Sequence, residues 1–478
     1  MSVATDDGGQ SLCYNRKMSE GQQGRDAGYI QLLRGNKNFR YLWTGQFISQ
    51  VGDWFNSVAL FTLILSLTGS GEAVGYILIL KLLPTFFVGP LAGVAADRFN
   101  RKTIMIVADV ARGLSVLGFL FVDTPDRVWM VYALTVVQVI LSTFFDPAKS
   151  AAIPNIISRN ELIAANGLSG ASWSVTLALG AALGGVVTDA FGREAAFIID
   201  AASYFVSTLF IMMVRIPASA KTRERGAEAK SARLALADAT GIRDLIEGAR
   251  YLRRNPRVMA VLLVKSGWGL GGGVLLLLTV FGKQIFPLGR DGSTSIGLLY
   301  AARGVGALVG PMIASPLTGR SPRLMRRVIG IAFFITAAFY LLFAQAPTLT
   351  LAALFAVGAH AGGSIQWVYS TALLQMSVPN RFLGRVFALE LAMVTLTMSL
   401  STYFTGWGID HAGLSPRHMA TILGLAFLVP GATWLFMQSW LALGEPGDKL
   451  SSDKLPGDKL TATVAEAEAA AETSFPPA

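Results

Sequence analysis

Residues Gly89–Lys102 read GPLAGVAADRFNRK, the end of an apolar run that stops at Asp97-Arg98 and is followed at once by Arg101-Lys102. The run begins well upstream: residues 73–96, AVGYILILKLLPTFFVGPLAGVAA, carry a single charge, Lys81. That is more than the ~20 residues a helix needs to cross roughly 30 Å of hydrocarbon. Lys and Arg are retained on the cytoplasmic side during insertion, so the basic cluster marks the inner end of this span. Gly89 and Gly93 stand four apart, a spacing that lets a neighbouring helix approach closely.

The composition of the whole chain agrees with a membrane span here. Of 478 residues, 53% are hydrophobic and only 15% charged, where a soluble domain carries about a quarter charged. The formal net charge of +10 would suit a nucleic-acid binder, but the cations concentrate in short connections between apolar spans, as positive-inside insertion requires. No nucleic-acid partner is expected, and the lipid bilayer is. The polar first 28 residues show no signal peptide and imply a cytoplasmic amino terminus. Cys13 is the only cysteine, which rules out an intramolecular disulfide.

Twelve spans are predicted, near 41–65, 73–96, 103–121, 128–145, 164–187, 195–214, 258–282, 294–317, 328–345, 349–374, 386–408 and 419–441. The connections that should be cytoplasmic hold Arg98, Arg101, Lys102, Lys149, Arg159, all the cations of 215–257, Arg320, Arg323, Arg326, Arg327, Arg381 and Arg385. The outer connections hold far fewer: Arg127, Arg193, Lys283, Arg290 and Arg417. The fold expected is therefore an all-α integral membrane protein, with twelve transmembrane helices in two pseudo-symmetric six-helix bundles. Its parts are a polar cytoplasmic tail (1–37), an N-terminal bundle (38–214), a cytoplasmic linker (215–257), a C-terminal bundle (258–443) and a disordered tail (444–478). In the linker, Ile242, Leu245, Ile246, Ala249 and Leu252 fall on one helical face, which predicts an amphipathic helix on the inner membrane surface.

An internal repeat supports the two halves. The second span reads Gly75, Lys81, Gly89-Pro90 and the eighth reads Gly297, Arg303, Gly310-Pro311. A cation embedded at matching depth in both halves points to a transporter built from parallel six-helix repeats.

These residues resemble the major facilitator superfamily. Its signature G-x-x-x-D-[RK]-x-G-[RK]-[RK] is met by Gly93, Asp97, Arg98, Arg101 and Lys102, with Asn100 in the glycine position; Asn tolerates the left-handed conformation that a glycine there suggests. Further segments resemble the drug:proton antiporter branch that includes macrolide-efflux and enterobactin-export proteins: NFRYLWTGQFISQVGDW, the Asp109 to Arg112 pair, DPAKSAAIPNII and QMSVPNRFLGRVF. LGAALGG is similar to the antiporter motif G-P-x-x-G-G through Gly180, Gly184 and Gly185, with Ala181 replacing the proline. The resemblance implies that Asp97 meets the amino end of the eleventh helix and latches the cytoplasmic gate in the outward-facing state. The reading from physics alone is compatible, since helix amino termini favour carboxylates.

Charges inside hydrocarbon are costly, so they face the bundle interior and find partners. Asp53 and Lys81 both come out roughly 20 Å from the cytoplasmic face at ~1.5 Å per residue. Their depths allow them to pair, either as a proton-coupling site or as a permanent structural ion pair. Arg303 suits an anionic or carbonyl-bearing substrate, or a carboxylate such as Glu390. His360, near mid-depth of the tenth span, can titrate or pack. By analogy with the superfamily, Gln138, Trp268, Gln366 and Tyr369 are further cavity contacts. Lys265 is expected to snorkel to the inner interface.

Other chemistry fails on context. GVGALVG at 304–310 sits inside an apolar helix with no preceding strand. No G-x-x-x-x-G-K-[ST] occurs, and the three histidines lack metal-ligand spacing, so no cofactor, no metal and no enzyme activity are expected. The function the resemblance implies is proton-coupled efflux of an amphipathic small molecule, a drug or a siderophore, by alternating access in a bacterial inner membrane, with both termini expected to be cytoplasmic and the monomer expected to be the working unit. A lysophospholipid translocator or importer on the same fold, and a non-transporting sensor or scaffold, are the other readings.

Overall fold

A computed structural model of the chain describes residues 29–158, 161–215, 242–319 and 321–442. The first 28 residues with Cys13, most of the expected linker, Arg159, Arg320 and the tail from 443 lie outside the described residues. The described residues hold twelve helices long and apolar enough to cross a membrane, and no strand. They are α1 Lys37–Thr68, α2 Gly71–Gly89, α3 Arg101–Phe121, α4 Pro125–Ile156, α5 Gly167–Phe191 and α6 Arg193–Met213, then α7 Pro256–Ile285, α8 Arg290–Thr318, α9 Pro322–Ala344, α10 Leu349–Ser377, α11 Phe382–Asp410 and α12 Pro416–Gln438. This is a multi-pass membrane protein of two six-helix bundles. Twelve crossings put both described chain ends on one face, here the terminal face; the opposite one is the far face.

The helix ends follow local chemistry. Asn36 caps α1 by accepting the Phe39 amide at 3.0 Å, and Gly69 closes the helix at φ +65°. Asn100 has extended backbone, φ −66° and ψ 115°, and its side chain accepts the amides of Lys102 and Thr103. It is an N-cap for α3, so the left-handed role expected of this position is corrected.

α2 is not one rod. It breaks at Lys81-Leu82 and resumes at Leu83, with Pro84 in the first turn of its second part. Proline has no N–H and its ring collides with the carbonyl four residues back, so the helix gives way at the residue that carries the embedded cation. The matching cation, Arg303, lies in an unbroken α8.

Within each half, α1 packs on α5 and α6, α3 on α4 and α6, and α10 on α8 and α9. The halves meet along two seams, α5 with α8 and α2 with α11. With little hydrophobic drive between helices in lipid, close packing carries association. At the α5–α8 seam the backbones nearly touch: a Cβ on Gly297 would lie 2.5 Å from the Ala181 carbonyl oxygen and 2.8 Å from Gly185 Cα. Large apolar side chains such as Phe87, Trp129, Phe191 and Phe436 stay exposed on the outside, where lipid would cover them.

Two expectations for the polar segments are corrected. Residues Tyr29–Gly35 of the presumed tail form a short helix whose Leu32 is fully buried with Phe39, Leu42 and Phe145. The linker helix, Ile242–Arg254, packs on α11, a protein contact beyond the membrane surface expected for it. Tyr251 stacks on Phe382 at 4.6 Å, Glu247 pairs with Arg385 at 2.8 Å, and Gly248 lies against Arg385 and Leu389. Ala249, assigned to the apolar face, is exposed.

Candidate transport pathway and its buried charges

The N-terminal half gathers six ionisable side chains in its interior. Asp53 on α1 accepts the Tyr204 hydroxyl of α6. Asp109 and Arg112 pair within α3, Asp109 also accepts Ser207 Oγ at 2.7 Å, and the guanidinium lies over the rings of Phe145 and Tyr204 at 4.7 and 4.5 Å. Asp200 on α6 is fully buried beside Gly52, with Ser203 Oγ at 3.4 Å. Lys81 does not bond Asp53, which corrects the pairing their depths allowed. Its Nζ donates to Ser57 Oγ at 2.8 Å, and Ser57 in turn donates to the Asp53 backbone carbonyl. Lys81 feels Asp53 and Asp200 through space. Asn56 Nδ2 donates to Gln138 Oε1 at 3.5 Å, and among the described residues Asn56 Oδ1 and Gln138 Nε2 have no hydrogen-bond partner.

Asp200 and Tyr204 were not singled out from the sequence. The signal for Asp200 was present: it is one acid inside the apolar span 195–214. Tyr204 gave none, because an aromatic residue in a membrane helix has no distinguishing pattern until its hydroxyl has a neighbour.

The C-terminal half sorts its charges differently. Glu390 on α11 accepts from Lys265 on α7 at 2.7 Å, and the ammonium sits 4.4 Å from the Trp367 ring centre. Both side chains are buried. Lys265 therefore does not snorkel, and Glu390 is not the partner of Arg303. Among the described residues no carboxylate bonds Arg303; its guanidinium lies 5.7 Å over Trp173 of the other half. Trp268, Arg303, Tyr340 and His360 line a chamber of about 10 Å³, room for roughly one water. Tyr340 Oη and His360 Nε2 are 3.4 Å apart. Gln366 and Tyr369 are held within the helix packing in this conformation. Gln366 donates to Thr336 at 3.2 Å and Tyr369 meets Thr318 at 2.6 Å, both fully inside the helix packing.

The two faces are in opposite states. At the far face, the Asp410 carboxylate ending α11 accepts Ser70 Oγ at 2.6 Å and the Glu72 amide at 2.8 Å, capping α2. Asp189 near the end of α5 does the same for α8, through the Arg290 amide at 2.6 Å and Thr294 Oγ1 at 3.1 Å. At the terminal face, a side chain added at Gly89, Gly93 or Gly384 would meet nothing within 4 Å. α2 and α11 pack most closely towards the far face, and Gly89, Gly93 and Gly384 leave open space beside them towards the terminal face. A cleft of about 300 Å³ lies between the terminal-face ends of α1, α4 and α5, lined among others by Trp43, Gln46, Gln50, Asp146, Lys149 and Trp173.

The signature residues divide accordingly. Arg101 donates to the Ala96 and Ala151 carbonyls, and Lys102 Nζ to the Met212 and Val214 carbonyls at 2.6 and 2.9 Å. These cations cap the carboxyl ends of neighbouring helices within their own half. Arg98 is exposed. The side chains of Asp97, Asn380 and Arg381 lie outside the described residues, and Gly93, one turn before Asp97, has open space where a side chain would stand. Gly180 and Gly184 receive α1, through Trp54 and Phe55, while Gly185 receives α8. The motif thus packs helix 5 on both sides.

Comparison with known proteins agrees with this architecture. The family model described as Major Facilitator Superfamily matches residues 42–402. An uncharacterized MFS-type transporter, YfiS of Bacillus subtilis, is 28% identical over 84% of this chain and 91% of its own. Macrolide efflux protein A of Streptococcus pyogenes is 26% identical over 79% and 90%. The putative bacilysin exporter BacE of Bacillus subtilis is 24% identical over 77% and 87%. Among solved structures, a bacterial homologue of the human lysosomal transporter Spinster, inward-facing and unoccupied, aligns with TM-score 0.64 at 14% identity, covering 86% of this chain and 99% of that one. A POT family transporter aligns with TM-score 0.66 at 10% identity, covering 85% and 97%.

Proposed function

This chain belongs to the Major Facilitator Superfamily, and on that basis we propose that it exports an amphipathic small molecule in exchange for protons, by alternating access between its two halves. The observation that carries the reading is the polarity of the seams: the far face is closed by Asp189 and Asp410 while the terminal face stands open. In a bacterial inner membrane with both termini cytoplasmic, that is the inward-facing state in which an exporter loads. The relatives named for macrolide efflux and bacilysin export favour outward transport of drug-like compounds. Buried carboxylates near the pathway favour protons as the coupling ion, since ionisable residues inside membranes mark ion routes. Asp53, half-buried and next to Lys81, is where the network meets the pathway. Arg303, without a carboxylate partner, is presented to an anionic or carbonyl group of the substrate once its chamber widens. Asp97 takes its place on the amino end of α11 when the terminal face closes.

The test is accumulation of ethidium and erythromycin in efflux-deficient cells expressing the wild type or Asp53→Asn, with and without a protonophore. Lower accumulation that needs both Asp53 and the proton gradient is expected. Unchanged accumulation across a broad panel of compounds would sink the drug-export reading.

A further inference from the structure

We propose that Asp200 holds the exchangeable proton of the N-terminal half, with Asp53 as its contact to the pathway. This rests on the reading of the protein as a proton-coupled transporter and names the site within it.

Charge balance is the first argument. The network contains three carboxylates, Asp53, Asp109 and Asp200, against two cations, Lys81 and Arg112, and its members act on one another electrostatically. With every group ionised the cluster carries one net negative charge inside the bundle. An uncompensated charge in a membrane interior is far more costly than a neutral carboxyl, so the cluster balances when one carboxyl binds a proton.

Bonding partners identify which one. Asp109 has Arg112 and Ser207. Asp53 has the Tyr204 hydroxyl and is only half-buried. Asp200 has a single long contact from Ser203, and its buried Oδ2 has no hydrogen-bond partner among the described residues. A bare carboxylate oxygen in such a place wants a proton; a carboxylic O–H removes the charge and leaves the least unsatisfied. The helices around Asp200 bring few other charges to it. α1 brings Asp53, α3 brings Asp109 and Arg112, and α6 itself brings Tyr204. The acid of α5, Asp189, is engaged with α8, and Lys81 acts from α2.

The exchange is a simple acid dissociation, Asp200 carboxyl to carboxylate plus a proton, passed to or from Asp53 and so to the pathway. Gly52 makes the exchange route short: a Cβ there would stand 2.6 Å from Asp200 Oδ1, so α1 carries no side chain between Asp53's own helix and the acid. Loss of the proton leaves the cluster negative and pulls Lys81 of the broken helix α2 towards it, and uptake releases Lys81. The break at Lys81-Leu82 is where α2 can follow.

Infrared difference spectroscopy of the full chain in proteoliposomes tests the site without a substrate. At about pH 8, where exposed carboxyls are ionised, the wild type should show the C=O stretch of one protonated carboxyl, and Asp200→Asn should lack it. Asp53→Asn should lack it too, because two acids then balance two cations. Substitution by Glu therefore does the locating: Asp200→Glu should shift the band and Asp53→Glu should leave its frequency alone. Lys81→Gln should strengthen the band, since a second proton is then needed. No band in the wild type, a band that survives Asp200→Asn, or a shift in Asp53→Glu but not Asp200→Glu would overturn the assignment. Failure of the export reading shows elsewhere, as efflux indifferent to the protonophore, and leaves the band in place.

Discussion

Asp189 accepts the backbone N–H of Arg290 at 2.6 Å across the boundary between the two halves, and Asp410 repeats the contact on the other seam with the amide of Glu72 at 2.8 Å. Each acid ends or nearly ends one helix and caps the start of another, so a pair of carboxylates related by the repeat holds the far face shut. Opening that face has to break both caps.

Capping interactions of this kind are worth about 0.5–2 kcal/mol, which is roughly a 2- to 30-fold change in an equilibrium. Asp410→Ala should raise the population open at the far face by about that factor, and Asp189→Ala likewise. The check is the labelling rate of Val280→Cys, buried beneath the α2 contact, by an impermeant maleimide in a Cys13→Ser background. Equal rates in the parent and both variants would show that the caps do not hold the face closed.

Asp97→Ala should act in the opposite sense. Loss of a carboxylate from a helix amino terminus costs about 0.3–2 kcal/mol, here from the state closed at the terminal face. Transport should be crippled while membrane insertion and yield are unchanged, and adding Asp410→Ala should recover part of the lost population. Normal transport by Asp97→Ala would refute the gate.

Breaking the buried pair of α7 and α11 should cost stability. Glu390→Gln leaves the Lys265 ammonium without its partner, and removing one member of such a pair destabilises by about 3–5 kcal/mol. The thermal unfolding midpoint of the purified protein should fall, and the double variant Lys265→Met with Glu390→Leu should restore most of it. A single variant as stable as the parent would mean that the pair is not what holds these helices together.

The docked linker helix gives a fourth expectation. Glu247→Arg should release Ile242–Arg254 from α11 and raise its amide hydrogen exchange, and Arg385→Glu in the same chain should bring protection back. Exchange unchanged in Glu247→Arg would show that the ion pair with Arg385 does not hold the helix on α11.

Much of this was legible in one dimension. The twelve spans follow from hydropathy and the placement of cations, because a backbone in hydrocarbon must form its own hydrogen bonds and a helix satisfies them within one segment. The repeat of Lys81 and Arg303 and the signature from Gly93 to Lys102 are local patterns as well. The effect of proline was not legible from sequence: α2 breaks before Pro84, whereas α8 carries Pro311 and Pro316 and stays whole.

Partner choice among buried charges was not legible. Depth along a helix allowed Lys81 to meet Asp53, and Glu390 was one carboxylate open to Arg303, and neither contact forms; Lys81 bonds Ser57 and Glu390 takes Lys265. The amphipathic face of the linker helix likewise fitted a membrane surface as well as it fits α11. By itself the sequence determined which segments cross the membrane and at what depth each charge lies. Only the tertiary structure decided which charges touch, how the far face is capped and how sparsely Asp200 is bonded among the described residues. The reason is that hydropathy and helical rise are properties of one segment. Ion pairing also depends on how each helix is turned about its axis and which helix stands beside it, and those are settled by packing between segments distant in the chain.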